Sequence, residues 1–198
     1  LEGNFQKIIT EFKLAEAGGC DLVIFPEMSL CGYPCFDLWK KKYFLEEISQ
    51  KIIEICKLTK NSKCAILLGA AHVVTLRNKK EIVHNAAFLI EGGEVVKIIN
   101  KKSLPNYAVF DEKRYFESEN FISLLEFRGL TLAILICEDL WEAKNLFLLK
   151  EQVLDAVIVI NSSPYEINKQ LLRNDIAKNF VKNLSKPLVY VNQVGGQD

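Results

Sequence analysis

Leu130-Thr131-Leu132-Ala133-Ile134-Leu135-Ile136 runs straight into Cys137-Glu138-Asp139-Leu140-Trp141. An apolar, β-branched run of this length reads as a buried strand. The abrupt polar break reads as its C-terminal edge, the side of an open α/β sheet where ligands bind. Cys137 therefore stands on a rigid element within reach of a ligand. A single cysteine is more often a small buried hydrophobe, so the case for chemistry rests on what else reaches the same edge.

Working outward, Phe121 to Phe127 forms a hairpin with that strand around Arg128-Gly129. Ala156 to Ile160 and Leu188 to Asn192 read as further buried strands, and the segment Asn168 to Leu184 between them as a helix. Toward the N-terminus, residues 4–18 carry Phe5, Ile8, Ile9, Phe12, Leu14, Ala15 and Ala17 at helical spacing, ended by Gly18-Gly19. Asp21 to Phe25 is a short strand stopped by Pro26, residues 43–60 an amphipathic helix, and Cys64 to Val74 a strand. His84 to Ile90 and Glu94 to Ile99 flank Gly92-Gly93 as a hairpin. Residues 100–120, polar and aromatic, read as a long ordered loop, a type that is often functional. Helices alternating with strands at both ends, with hairpins between, predict a mixed sheet in a layered α/β domain.

The chain has 198 residues, 49% of them hydrophobic, enough for one substantial core and a single domain. Its 25 basic and 25 acidic side chains cancel, which gives no support to nucleic-acid or anionic-membrane binding. Its apolar runs are too short to span a bilayer. The first residue is Leu rather than Met, which predicts a trimmed chain or a fragment. The six cysteines lack zinc-type pairing, Cys31 and Cys35 included, and several lie in apolar runs, as reduced cysteines do in a cytoplasmic protein.

A cysteine nucleophile needs a base, most often histidine. His72 and His84 sit in or beside strands rather than in polar loops, so both read as structural. Two charged residues are better placed. Glu27 follows the first strand and Pro26, and Lys101 follows the strand ending at Ile99. Each is a polar group just past a buried strand, as Cys137 is. Glu27 could serve as general base and then acid; Lys101 would favour thiolate and stabilise an oxyanion. Singly, each reads more readily as an exposed surface charge; the coincidence of three strand exits favours chemistry.

These residues resemble the nitrilase (carbon–nitrogen hydrolase) superfamily, and within it the glutaminase domains of glutamine-dependent NAD synthetases. Phe-Pro-Glu-Met-Ser-Leu-Cys-Gly-Tyr-Pro (25–34) with Asp37-Leu38 is similar to the first motif of the superfamily. Lys-Lys-Ser-Leu-Pro-Asn-Tyr-Ala-Val-Phe-Asp-Glu-Lys-Arg-Tyr-Phe (101–116) resembles the second, and is the most specific segment. Ile-Cys-Glu-Asp-Leu-Trp (136–141) resembles the nucleophile motif, and Asn-Ser-Ser-Pro-Tyr (161–165) the stretch after the next strand. The resemblance implies an αββα sandwich with mixed sheets and a catalytic triad of Glu27, Lys101 and Cys137; the family spacing to Leu-Pro-Asn-Tyr selects Lys101 over Lys102. It implies that Tyr107 and Glu138 contact glutamine or shape its pocket, with Ser163 and Lys169 as further contacts and Tyr33 lining the site. Ala108 stands where many relatives carry Gly.

The implied reaction is hydrolysis of the glutamine side-chain amide through a Cys137 thioester, with no metal or organic cofactor. The resemblance further implies that ammonia passes to a synthetase domain, absent here, that uses ATP and Mg2+ to amidate deamido-NAD. Residues 1–198 are then one glutamine amidohydrolase domain, expected to lack sheet at both ends, from an enzyme expected to be a cytoplasmic homo-oligomer. Competing readings are a stand-alone amidase acting on another small amide, a non-catalytic interaction module, and a Cys-His hydrolase using His84.

Overall fold

The structure, a computed structural model, describes residues 1–194. Among them, eight strands form two sheets of four. The first sheet has the order β1 (Leu22–Ile24), β2 (Ala65–Thr75), β3 (Glu81–Glu91) and β4 (Glu94–Asn100). Its first pair is parallel and the others antiparallel. The second has the order β5 (Leu124–Phe127), β6 (Leu130–Ile136), β7 (Ala156–Asn161) and β8 (Leu188–Asn192), with β5 antiparallel to β6 and the rest parallel. The mixed pairing expected from the sequence is thus divided between two sheets.

Burial on both faces of each sheet explains the apolar runs. Leu67, Leu89 and Ile99 of the first sheet meet Leu132, Ile134, Ile136, Ile158 and Ile160 of the second in a core between the sheets. The opposite face of the first sheet, with Ile66, Leu68, Phe88 and Ile90, is covered by α1 (Glu2–Ala17) and α2 (Lys42–Thr59). Phe5, Ile8, Ile9 and Phe12 from α1 and Ile48, Ile52 and Ile55 from α2 supply the contact, each set at helical spacing. Leu135, Val157 and Val159 on the outer face of the second sheet pack against α3 (Glu138–Trp141), α4 (Ala143–Lys150) and α5 (Lys169–Leu184) through Leu140, Leu146, Leu149 and Phe180. The layers are helix, sheet, sheet, helix.

Several boundaries differ from the sequence reading. β3 begins at Glu81, because Thr75↔Glu81 already pairs and the hairpin turn is short. β5 begins only at Leu124; Phe121 is exposed and finds no cross-strand partner. α3 and α4 were not anticipated: they bury Leu140, Leu146 and Leu149 in a stretch too short to show a clear period. The β5–β6 turn uses left-handed backbone at Arg128 (φ 49°) and Gly129 (φ 81°), the geometry of a tight hairpin. Arg128 reaches across to Asp21, Glu91 and the Lys63 carbonyl, and so clasps the two sheets at the end of β6 remote from Cys137. His72 and His84 face each other across β2 and β3; His72 Nδ1 pairs with Asn100 Oδ1 at 3.0 Å and His84 Nδ1 with the Glu117 carbonyl at 2.7 Å.

If the core between the sheets carries the fold, Leu67→Ala should lower unfolding free energy by about 2–5 kcal/mol. Urea titration measures this; a change near zero would show that the sheets do not depend on that contact.

Candidate active site

Glu27, Lys101 and Cys137 come together at the same edge of the sandwich. All are buried, at 1%, 1% and 3% exposure, which excludes the surface-charge reading of the first two. Lys101 Nζ donates to Glu27 Oε1 at 2.7 Å. It also donates at 2.9 Å to Glu112 Oε1, a second carboxylate that the sequence reading left without a role. Asn85, wholly buried in β3, donates to Glu27 Oε1 at 2.7 Å and to Glu112 Oε1 at 3.2 Å. The Ser162 N–H donates to Glu27 Oε2 at 2.7 Å. Both Glu27 oxygens are therefore fixed by donors, as a positioned base requires.

Backbone features place these side chains. Gly69 in β2 lies under Glu27: a Cβ there would stand 2.3 Å from the Pro26 carbonyl oxygen, 2.6 Å from Glu27 Cα and 2.6 Å from Met28 N. Only glycine permits that approach. Lys101 is anchored by its N–H to the Asn85 carbonyl at 2.8 Å. Cys137 sits at the β6 exit with φ 48° and ψ −97°, a left-handed conformation costly for a side chain, and its N–H is held by the Ile160 carbonyl at 2.9 Å. Asp139 ties two exits together: Oδ1 accepts the Ser103 N–H at 2.7 Å and Oδ2 the Ile136 N–H at 3.0 Å. Burial raises its carboxyl to about 6 against the opposing pull of Lys101 and these N–H groups.

The electrostatics are those of a dry site with more acid than base. Burial works against the Lys101 ammonium, but Glu112 and Glu27 outweigh it and hold the group well above the ordinary lysine value. Burial, then Glu27, pushes the Cys137 thiol well above the usual cysteine range, with Lys101 pulling the other way. The resting nucleophile is a neutral thiol beside a carboxylate able to take its proton. Burial also raises Glu112, whose Oε2 has no hydrogen-bond partner among the described residues.

The remaining residues singled out from the sequence divide into two groups. Tyr33 donates to Glu112 Oε1 at 3.1 Å, and the N–H of Ser163, which is buried, donates to Asn192 Oδ1 at 3.0 Å. Both line a cavity of about 250 Å³ together with Phe110, Ser162 and Arg173. Tyr107 donates to Glu138 Oε2 at 2.8 Å, a pair more open to solvent than the ion cluster. Ala108 next to it takes φ 52°, a backbone setting that glycine would fill without strain. Lys169, like Tyr107 and Glu138, is not among the residues lining that cavity; its ammonium pairs with Glu166 at 3.0 Å and lies 6.0 Å from the ring of Trp141, four residues past Cys137. Glu112 and Asn85 were missed. Glu112 lies in a run rich in charge, where one acid does not stand out. Asn85 left a trace, a lone amide inside the apolar strand Val83–Ile90.

A buried thiol, carboxylate and ammonium at one strand edge of a four-layer sandwich is the equipment of an amide-cleaving enzyme, and residues 1–198 match the carbon-nitrogen hydrolase family. The chain belongs to that family. It is 35% identical to the glutamine-dependent NAD(+) synthetase of Acinetobacter baylyi, across all of this chain and 35% of that protein. To the enzyme of the same description from Thermotoga maritima it is 34% identical, across all of this chain and 34% of the relative. The solved glutamine-dependent NAD+ synthetase from Acinetobacter baumannii superposes with a TM-score of 0.86 at 35% identity, covering all of this chain and 36% of that one. An amidase from Nesterenkonia sp. shares the fold, with a TM-score of 0.79 at 20% identity over 98% of this chain and 71% of that one. The chain thus spans about a third of the length of its curated relatives.

Two substitutions test the arrangement. Gly69→Ala should cost about 1–3 kcal/mol of stability and, by displacing Glu27, lower amide turnover about a hundredfold in molecules that remain folded; unchanged turnover would free Glu27 from its dependence on β2. Glu27→Gln should abolish turnover yet shift the pH profile of Cys137 alkylation by iodoacetamide to lower pH, since it removes a negative charge that holds the thiol protonated. A shift to higher pH would contradict the electrostatic reading.

Proposed function

We propose that the chain hydrolyses the side-chain amide of glutamine through a thioester on Cys137, releasing glutamate and ammonia. The observation that carries the reading is the buried Glu27–Lys101–Glu112 cluster set against the Cys137 thiol. In the first half, Glu27 takes the proton from Sγ as sulfur attacks the amide carbon. Negative charge forms on the amide oxygen, where Lys101 Nζ and the backbone N–H of Glu138 stabilise it; one such donor is typically worth about 3–4 kcal/mol. The C–N bond then breaks, Glu27 returns its proton to the leaving nitrogen, and ammonia departs. In the second half, Glu27 takes a proton from water, whose oxygen attacks the thioester carbon. The C–S bond breaks, glutamate leaves, and the proton returns to sulfur.

Every step is a proton transfer or an acyl transfer, carried by side chains and one backbone N–H of this chain together with water. The ammonia in this reading serves ATP- and Mg2+-dependent amidation of deamido-NAD by a synthetase domain, which the 30–35% identity to glutamine-dependent NAD synthetases supports. Tyr33, Tyr107, Glu138 and Ser163 shape the glutamine site in this reading. The six free cysteines accord with a reducing, cytoplasmic setting.

Glutamate release from glutamine by this chain, measured beside Cys137→Ala, tests the proposal. Release should fall to background in the variant. Persistent release from Cys137→Ala would remove the thioester route, and release from other amides but not from glutamine would remove the glutaminase assignment.

A further inference from the structure

His72 and His84 serve no step of the reaction, yet His84 stands one residue from a member of the ion cluster. Successive side chains of a strand point to opposite faces. In β3, Asn85 points inward to Glu27 and Glu112, while His84 before it is buried on the other face. The arrangement recurs at the end of β4, where Lys101 enters the cluster and Asn100 before it turns to the outer face. The outward members form a chain of their own. His84 Nδ1 donates to the Glu117 carbonyl at 2.7 Å, since a carbonyl can only accept. His72 lies directly across from His84, with 5.9 Å between the ring centres, and rests edge-on against Phe88. Its Nδ1 pairs with Asn100 Oδ1 at 3.0 Å, and Asn100 Nδ2 donates to Glu119 Oε2 at 3.4 Å.

Both histidines thus end on one segment, Glu117 to Glu119, where the loop after Lys101 returns to the sheet. Backbone bonds meet there as well: the Glu117 N–H reaches the Val83 carbonyl at 2.8 Å, and the Glu119 N–H the Lys101 carbonyl at 2.9 Å. Glu112 belongs to the turn just before this return, and its carbonyl accepts the N–H groups of Tyr115 and Phe116 at 3.0 and 2.9 Å. The place of the return therefore sets the place of Glu112.

Glu112 needs that anchor. It is buried against a second carboxylate, Glu27, with one ammonium between them. Burial pushes its carboxyl up to about 7, with Lys101 pulling the other way and Glu27 adding to the rise. Water would hold the charged form better than this site does, so the chain carrying Glu112 has to be tied down.

We propose that His84, backed by His72 and Asn100, is a positioning residue for the reaction: it clamps the return of the 101–119 loop and so holds Glu112 against Lys101 beside the thiol. This deepens the glutaminase reading and rests on it for the reaction, while the clamp itself can be read on the thiol without any substrate.

The test uses the whole chain, with folding checked by circular dichroism. His84→Phe keeps a ring and removes the Nδ1 donor; His84→Asn returns an N–H close to the same place. His84→Phe should lower kcat for glutamine about tenfold to a hundredfold, the scale of a misplaced catalytic constellation, with KM little changed. It should also move the pH midpoint of Cys137 alkylation by iodoacetamide downward, because Glu112 is one of the negative charges that keep the thiol protonated. His84→Asn should recover part of both effects. In a Glu112→Gln background, which lacks that charge, His84→Phe should leave the midpoint where it is. A folded His84→Phe with an unmoved midpoint overturns the clamp. So does an equal shift with and without Glu112, which would mean that the histidine acts by another route. If His84→Phe fails to fold, His72→Phe, which keeps a ring against Phe88, carries the same expectations and is overturned by the same results. Absence of glutamine hydrolysis in the unmodified chain would instead overturn the glutaminase reading, and the alkylation midpoints would still decide the clamp.

Discussion

The ammonium of Lys101, sealed between two carboxylates, is the interaction on which the rest of the site depends. A lone ammonium could not be buried at this depth. Glu27 and Glu112 make it possible, and Asn85 then satisfies the same carboxylate oxygens from β3. Breaking such a buried pair from one side costs about 3–5 kcal/mol, because the charge left behind is uncompensated. The cluster is therefore structural and chemical together: it joins the exit of β1, the middle of β3, the exit of β4 and the loop that follows.

That dependence extends outward by hydrogen bonds rather than by apolar contact. Ser162 links the β7 exit to Glu27, and Asp139 links the β6 exit to the loop after Lys101. Asn145, from α4, donates to the Asp139 carbonyl at 2.8 Å and so adds the outer helical layer. The core between the sheets brings the strands to a common edge, and these polar ties set their ends to a fraction of an ångström. Apolar packing alone would tolerate sliding that the chemistry would not.

The sequence is legible where one physical signal dominates. The β6 run, the glycine-marked hairpins and the periodic faces of α1 and α2 each declare an element, because burial on one or both faces writes itself into the pattern. The three strand-exit residues are visible for the same reason: a polar group directly after an apolar run is conspicuous. Glu112 is not, since it sits in a loop crowded with charge and becomes buried only when residues 101–119 fold back, the Glu117 N–H onto Val83 of β3 and the Glu119 N–H onto the Lys101 carbonyl. Arg173 is hidden likewise. On α5 it looks like one more exposed cation, and only the return of the Ser163–Pro164 segment gives it a place in the cavity. Two sheets, rather than one, follow from which faces meet, a long-range fact that strand patterns do not encode.

The protonated state of Cys137 has a consequence for the lifetime of the enzyme. It is the thiolate that attacks peroxides and disulfides, and the first rung of cysteine oxidation is reached chiefly through it. A sulfur kept neutral by burial and by the carboxylate beside it offers oxidants little to react with between catalytic cycles. The protein thus keeps a strong nucleophile in a form that ages slowly.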